Sequence, residues 1–292
     1  MKQSWQPSLY LFSVLFIFTS FIGTLASAGF LHPDHEGRIM DATHLIEEHP
    51  ESAQLYFNRG ELHLQHDDYD AALADFERVL QIDPSMSGAQ VARALALQKG
   101  GWHRAARVVL NVYLKQHPKD QKALLTRARA LAAIGEHLMA AQDFSAALKI
   151  ASDLKPDFFI EMAGEYALAG DAYFNDALLA VDLGVERFGP LITLELVAID
   201  LELKLGKVDR ALDRLGLVME QSQRKERYLI RRGEILENAD RFDEAKTAYE
   251  SGLVAIRMLP HRHRVTKSTA ALESEARKAL ARVNQQMESG TP

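Results

Sequence analysis

The stretch "YDAALADFERVLQIDP", Tyr69 to Pro84, decides the fold. Ala72 and Phe76 stand one helical turn apart and share a face, and Pro84 falls where a helix has to stop. The same order returns in "FDEAKTAYESGL", Phe242 to Leu253, with Ala245 and Tyr249 in the two slots. Between them the alanine recurs at Ala106, Ala140, Ala177 and Ala211, so the spacings are 34, 34, 37, 34 and 34 residues. Prolines keep the same beat at Pro50, Pro84 and Pro118. Twelve residues before each alanine stand Gly60, Ala94, Ala128, Glu165, Ile199 and Gly233, and four after it stand Phe76, Leu110, Phe144, Val181, Leu215 and Tyr249. Four of the six early slots are tiny and all six later slots are apolar, the requirement of two helices packed at close range. A period of this length marks an array of supersecondary units.

Each period therefore holds two antiparallel helices joined by a short turn. Such a pair cannot bury its apolar face alone and has to lean on the next one. Turn signals sit between the helices at His66–Tyr69, Gly100–Trp102, Gly135–His137, Gly170–Tyr173, Gly206–Val208 and Ala239–Phe242. Enlarging one of the small contact residues should cost about 1–3 kcal/mol by overpacking. At the ends, Arg38 to Pro50 reads as a lone second helix, with Ile39, Ala42, Leu45 and Ile46 at helical spacing. Thr266 to Met287 puts Leu272, Ala276, Ala279, Leu280 and Val283 on one stripe and reads as a polar-backed capping helix.

This pattern resembles the tetratricopeptide repeat family, a degenerate 34-residue helix-turn-helix. The resemblance is carried by Tyr56, Gly60, Ala72, Phe76 and Pro84 in the first unit and by Leu229, Gly233, Ala245 and Tyr249 in the last, and it spans about residues 50 to 257. It implies an all-α fold, a right-handed α-α superhelical solenoid of about six hairpins closed by a C-terminal helix. The expected division is residues 29–50 with a half-repeat helix, hairpins at about 53–86, 87–120, 121–154, 158–191, 192–225 and 226–259, then residues 260–292 as loop, cap and tail. Glu165 and Ile199 depart from the small-residue slot, and three extra residues are assigned to Ser152–Pro156, where looser packing is expected.

The resemblance also implies a concave groove lined by the first helices, which binds a peptide or helix of a protein partner. Carried onto this sequence, the groove residues are Phe57, Asn58 and Glu61, then Val91 and Leu95, then Leu125 and Arg129. Phe159, Met162 and Tyr166 follow, then Leu196 and Asp200, then Arg227, Arg231 and Glu234. Asn58 and Lys122 match a carboxylate-gripping subset of the family, but Ala92 stands where another asparagine belongs. The competing reading folds Phe159, Met162 and Tyr166 into the core, as apolar helical stripes usually are.

Composition narrows the classes further. Of the 292 residues 47% are hydrophobic and 25% charged, which is ordinary for a folded chain. A net charge of −6 without a long basic run lacks the footprint of a nucleic-acid binder. There is no cysteine, so disulfides, thiolate nucleophiles and cysteine zinc sites are excluded. Leu9 to Leu25 is uncharged and apolar and is followed by Ala26-Ser27-Ala28, the pattern of a signal peptide over residues 1–28. An uncleaved membrane anchor is the alternative, because 17 apolar residues are nearly enough to span a bilayer. Removing residues 1–28 takes one lysine and no acid, leaving −7. The expected location is the bacterial periplasm or, if the leader stays, the inner-membrane surface.

No phosphate cradle, zinc-protease pair or nucleophile elbow is present, so no enzyme and no cofactor are expected. Eleven histidines invite a metal reading, with His32 and His35 near the amino terminus as the best candidates, but their spacing around Pro33 does not by itself converge ligands. His63 and His66, one turn apart, and His261 with His263 read as packing or surface residues. The leading expectation is an exported, non-enzymatic scaffold for another envelope protein. A metal-binding envelope protein is the alternative.

Overall fold

A computed structural model describes residues 33–151 and 153–289, and the leader expected over residues 1–28 lies outside them. The described residues form α-helices and no strand. In order they are α1 (Pro33–Glu48), α2 (Ala53–Gln65), α3 (Tyr69–Ile82), α4 (Ser87–Lys99) and α5 (His103–Gln116). Next come α6 (Gln121–Ala133), α7 (His137–Ile150), α8 (Pro156–Ala169), α9 (Phe174–Phe188), α10 (Ile192–Lys204) and α11 (Val208–Gln221). The chain closes with α12 (Glu226–Asn238), α13 (Phe242–Met258), the short α14 (His261–Arg264) and α15 (Lys267–Ser289). The all-α array of helical hairpins with a closing helix is thus what the structure shows. It divides into two compact bodies, up to Asp83 and from Pro84 onward.

In the first body α2 and α3 form one hairpin, and α1 packs against α2. Its core is Ile46, Leu62, Ala72, Phe76 and Val79. A Cβ added at Gly60 would lie 2.7 Å from the Phe76 ring, which is why the slot is glycine. In the second body the five hairpins α4/α5, α6/α7, α8/α9, α10/α11 and α12/α13 stack in chain order, and α15 covers α13. One apolar cluster runs from Val91 through Phe144, Phe159 and Val181 to Leu201, and another from Ile199 through Leu215 and Tyr249 to Val283. Both draw on α10, which gives Leu194, Ala198 and Leu201 to the first and Ile199 to the second. Ile199 is fully buried, so this slot accepts a large residue without opening a gap.

The turns explain the period. The residue two after the first helix has positive φ in each regular hairpin: Asp67, Gly101, Gly135, Gly206 and Asp240. The next residue donates its N–H back across the helix end, Asp68 to His63, Trp102 to Leu97, Glu136 to Leu131, Lys207 to Glu202 and Arg241 to Leu236, at 2.8–3.0 Å. This is the Schellman closure, which satisfies orphan carbonyls and reverses the chain in three residues. Asp68 and Asp120 cap helix starts by accepting from Ala71 and Ala123 N–H at 3.3 and 2.9 Å.

Hairpin α8/α9 departs from this rule. Its positive-φ residue is Gly170, and a 3₁₀ turn over Asp171–Tyr173 follows before α9. From the positive-φ residue to the repeat alanine is five residues in the other hairpins (Asp67 to Ala72, Gly206 to Ala211) but seven from Gly170 to Ala177. The three inserted residues are therefore split: one precedes α8, which starts at Pro156, and two lie in the turn. That corrects the expectation that all three sit at Ser152–Pro156. It also moves the small-residue slot of this hairpin from Glu165 to Ala163, which is 1% exposed.

Two glycines separate close packing from helix propensity. At Gly233 an added Cβ would lie 2.7 Å from the Tyr249 ring, whereas nothing lies within 4 Å of the one at Gly164. Gly233→Ala is expected to lose about 1–3 kcal/mol to overpacking, and Gly164→Ala to gain about 0.5–1 kcal/mol from reduced backbone entropy. Urea midpoints at constant slope measure both.

Candidate functional site

The structure brings together only part of the expected groove. In the first body Phe57 is half-buried with its ring 5.7 Å from Phe76, Asn58 is exposed and accepts from Gln54 Nε2 at 2.7 Å, and Glu61 is half-buried. In the second body Leu95 and Leu196 are half-buried, Arg227 and Glu234 are exposed, and Arg129, Asp200 and Arg231 are half-buried. Val91, Leu125, Phe159 and Met162 are not groove residues: they are 4, 9, 4 and 3% exposed and belong to the core. For Phe159 and Met162 the reason is register. A two-residue slip turns a helix face by about 200°. Aligned on Pro156, the slots matching Leu125 and Arg129 become Ile160 and Gly164. Tyr166 then takes the slot of Leu131 and Leu236, both buried, and its ring lies 6.4 Å from that of Tyr173.

Ion pairs confirm this alignment. Arg129 on α6 donates from Nε and Nη2 to Glu161 on α8 at 2.9 and 3.0 Å, and its guanidinium lies over the Phe158 ring. Asp200 on α10 pairs with Arg231 on α12. On the Pro156 alignment both pairs join the same two slots of successive hairpins. Half of the charged line expected to meet a partner, namely Arg129, Asp200 and Arg231, is therefore used to tie hairpins to one another. Burial holds the Asp200 carboxyl above its usual range, with Arg231 and Lys204 acting against it. Burial also raises Glu234, although that side chain remains open to water.

A second set of ties went unread in the sequence. Arg59 grips Asp75 with Nε and Nη2 at 2.9 and 2.6 Å and reaches Thr43 with Nη1 at 3.1 Å. In the second body Arg127 grips Asp143 at 2.6 and 2.7 Å and reaches Asn111 at 3.0 Å. All three positions repeat at 68 residues, two periods on. Each cluster joins a hairpin to the helix before it, and removing one member of such a buried pair typically costs about 3–5 kcal/mol. In α10/α11 the polarity is reversed: Arg214 binds Asp182, Glu195 and Glu202 at 2.5, 2.9 and 3.0 Å.

The slip has a further product. Between α7 and α9 a cleft of about 400 Å³ opens on the second-helix side, floored by Phe159 and Met162. Leu148, Leu154 and Leu183 form its apolar walls, and Ser145, Lys149, Glu186 and Arg187 its rim. Lys149 and Arg187 are exposed, and neither forms an ion pair among the described residues. An apolar side chain next to an anion suits this shape and charge. Sequence reasoning selected Phe159 and Met162 but aimed them at the wrong face, and it missed the walls and rim. As for metals, no three His, Asp or Glu among the described residues are placed to hold one; His32 and the side chain of His35 lie outside them.

The first hairpin is matched by the sequence model of the tetratricopeptide repeat over residues 53–86. The fold is shared with solved structures. A tetratricopeptide repeat protein from Parabacteroides merdae is 15% identical, with 94% of this chain and 97% of that one covered and a TM-score of 0.50. The MamA protein is 17% identical over 61% of this chain and 96% of its own, with a TM-score of 0.53. At such identities the likeness concerns the fold alone. No curated protein matches the chain.

Glu165 offers a pH test of the packing. It occupies the slot of Leu62, Ala96, Ala130, Leu201 and Ile235, all buried and apolar, and meets His137 Nδ1 at 2.8 Å. Burial raises its pKa, and the His137 contact opposes this. A carboxyl raised in the fold costs nothing in acid, and its cost grows as pH climbs from the unfolded value through the folded one. Glu165→Gln is therefore expected to raise Tm more at pH 7.5 than at pH 4. An equal gain at both, or a loss at pH 7.5, contradicts this.

Proposed function

We propose that the protein is an exported, non-enzymatic interaction scaffold that seats an apolar side chain of an envelope protein, flanked by carboxylate, in the cleft between α7 and α9. The carrying observation is the cleft itself: an apolar floor and walls with Lys149 and Arg187 unpaired at the rim. A buried leucine or phenylalanine supplies affinity by area removed from water, and the rim cations select an acidic neighbour. The fold shared with tetratricopeptide repeat structures supports an interaction role. The apolar run Leu9–Leu25 and Ala26-Ser27-Ala28 support export.

A second reading places the partner along the first helices of the second body, on Leu95, Leu196, Arg227 and Glu234. The exposed Arg227 and Glu234 on α12 favour it.

Displayed peptides selected on the full chain separate the two. The expected winners pair Leu or Phe with Asp or Glu and lose affinity by about tenfold or more in Leu183→Arg and in Lys149→Glu, with Glu234→Lys unchanged and helicity intact in all. Loss confined to Glu234→Lys assigns the first-helix line instead.

A further inference from the structure

The chain is acidic overall, yet residues 251–272 hold Arg257, Arg262, Arg264 and Lys267, together with His261 and His263, and no carboxylate. This stretch is the corner between the last hairpin and the closing helix, where α13 ends at Met258, α14 makes one turn and α15 begins at Lys267. The corner is held in shape by its own hydrogen bonds. The Thr269 side chain is buried and donates to the His263 carbonyl at 2.8 Å, and the His263 N–H reaches the Pro260 carbonyl at 2.9 Å. Arg264 donates to the Arg257 carbonyl at 3.1 Å, which brings its guanidinium to the end of α13.

Two features set the corner apart. All four cations are exposed, and none pairs with a carboxylate among the described residues, whereas Arg127, Arg129, Arg214, Arg231 and Arg241 all do. Met258, 80% exposed, is the barest large apolar side chain among the described residues, and Val265 is 62% exposed. The apolar side chains project instead of lining a recess, so they suit a soft surface that receives them.

We propose that this corner docks the protein on an anionic phospholipid surface, with Met258 and Val265 entering the acyl boundary and Arg257, Arg262, Arg264 and Lys267 meeting lipid phosphates. The contact is independent of the cleft and of the leader. Among the described residues no helix is long and apolar enough to cross a membrane, so this is a surface contact.

The chain has no cysteine, so Met258→Cys gives one site for a nitroxide label on the full-length protein. On phosphatidylcholine vesicles containing phosphatidylglycerol at low salt, the label is expected to become shielded from aqueous relaxants and exposed to oxygen. On phosphatidylcholine alone, or in high salt, it is expected to stay in water. Changing Arg257, Arg262, Arg264 and Lys267 to Gln together is expected to lower that partition roughly a thousandfold. A label at Ala105→Cys, exposed on α5, stays aqueous throughout, which separates this contact from any hold the leader has on the vesicle. The proposal is overturned if the Met258→Cys label remains in water on anionic vesicles, enters neutral vesicles equally, or enters regardless of the four substitutions. Binding of poly-glutamate without entry into vesicles would assign the corner to an acidic protein and overturn it as well.

Discussion

The structure depends on how closely two antiparallel helices approach within each hairpin. Where the first helix offers glycine, the second lays an aromatic ring on its backbone: Phe76 over Gly60 and Tyr249 over Gly233, with 2.7 Å left for a Cβ that is not there. Alanine does the same work at Ala94 and Ala128, opposite Leu110 and Phe144, all of them buried. The contact fixes which side of each helix faces its partner, and the opposite side is left to the neighbouring hairpin. A hairpin so built is two-sided and apolar on both, so it is stable only between neighbours. In the second body the closing helix α15 removes the last exposed face with Ala276, Ala279 and Val283.

Polar ties then select one arrangement from the many that apolar contact allows. Arg127 with Asp143 and Asn111, and Arg214 with Asp182, Glu195 and Glu202, join each hairpin to the one before it through half-buried guanidiniums. Burial pulls the Arg214 pKa down, but its three carboxylate partners outweigh that and hold it above the ordinary arginine range. The region that escapes this regularity is α8/α9, where Met162 and Ala180 stand in the slots of Arg127 and Asp143. There the tie is missing, the turn is longer, and the cleft opens.

Much of the fold was legible before any coordinate. The alanine beat from Ala72 to Ala245 located the second helices, and the proline and glycine punctuation located the ends, because turn chemistry and close packing are local constraints. The face of α8 was misread for a physical reason: counting back from Ala177 carries the count across a turn that is two residues longer than the others. A second beat would have exposed this. The glycines Gly135, Gly170 and Gly206 are spaced 35 and 36 residues instead of 34. The buried Arg–Asp pairs were also written in the sequence, as the 16-residue spacing of Arg59 to Asp75 and of Arg127 to Asp143. The cleft was not, since it is a gap between helices and no motif encodes a gap.

The central claim is that the hairpins of the second body hold one another up, neighbour by neighbour. Hydrogen exchange after Ala279→Asp, which puts a charge into the contact of α15 with α13, tests it most directly. Loss of protection is expected to be largest in α13 and α12 and to decline through α11 and α10 towards α8. Loss confined to α15, with α12 and α13 exchanging as in the unmodified protein, would contradict the account.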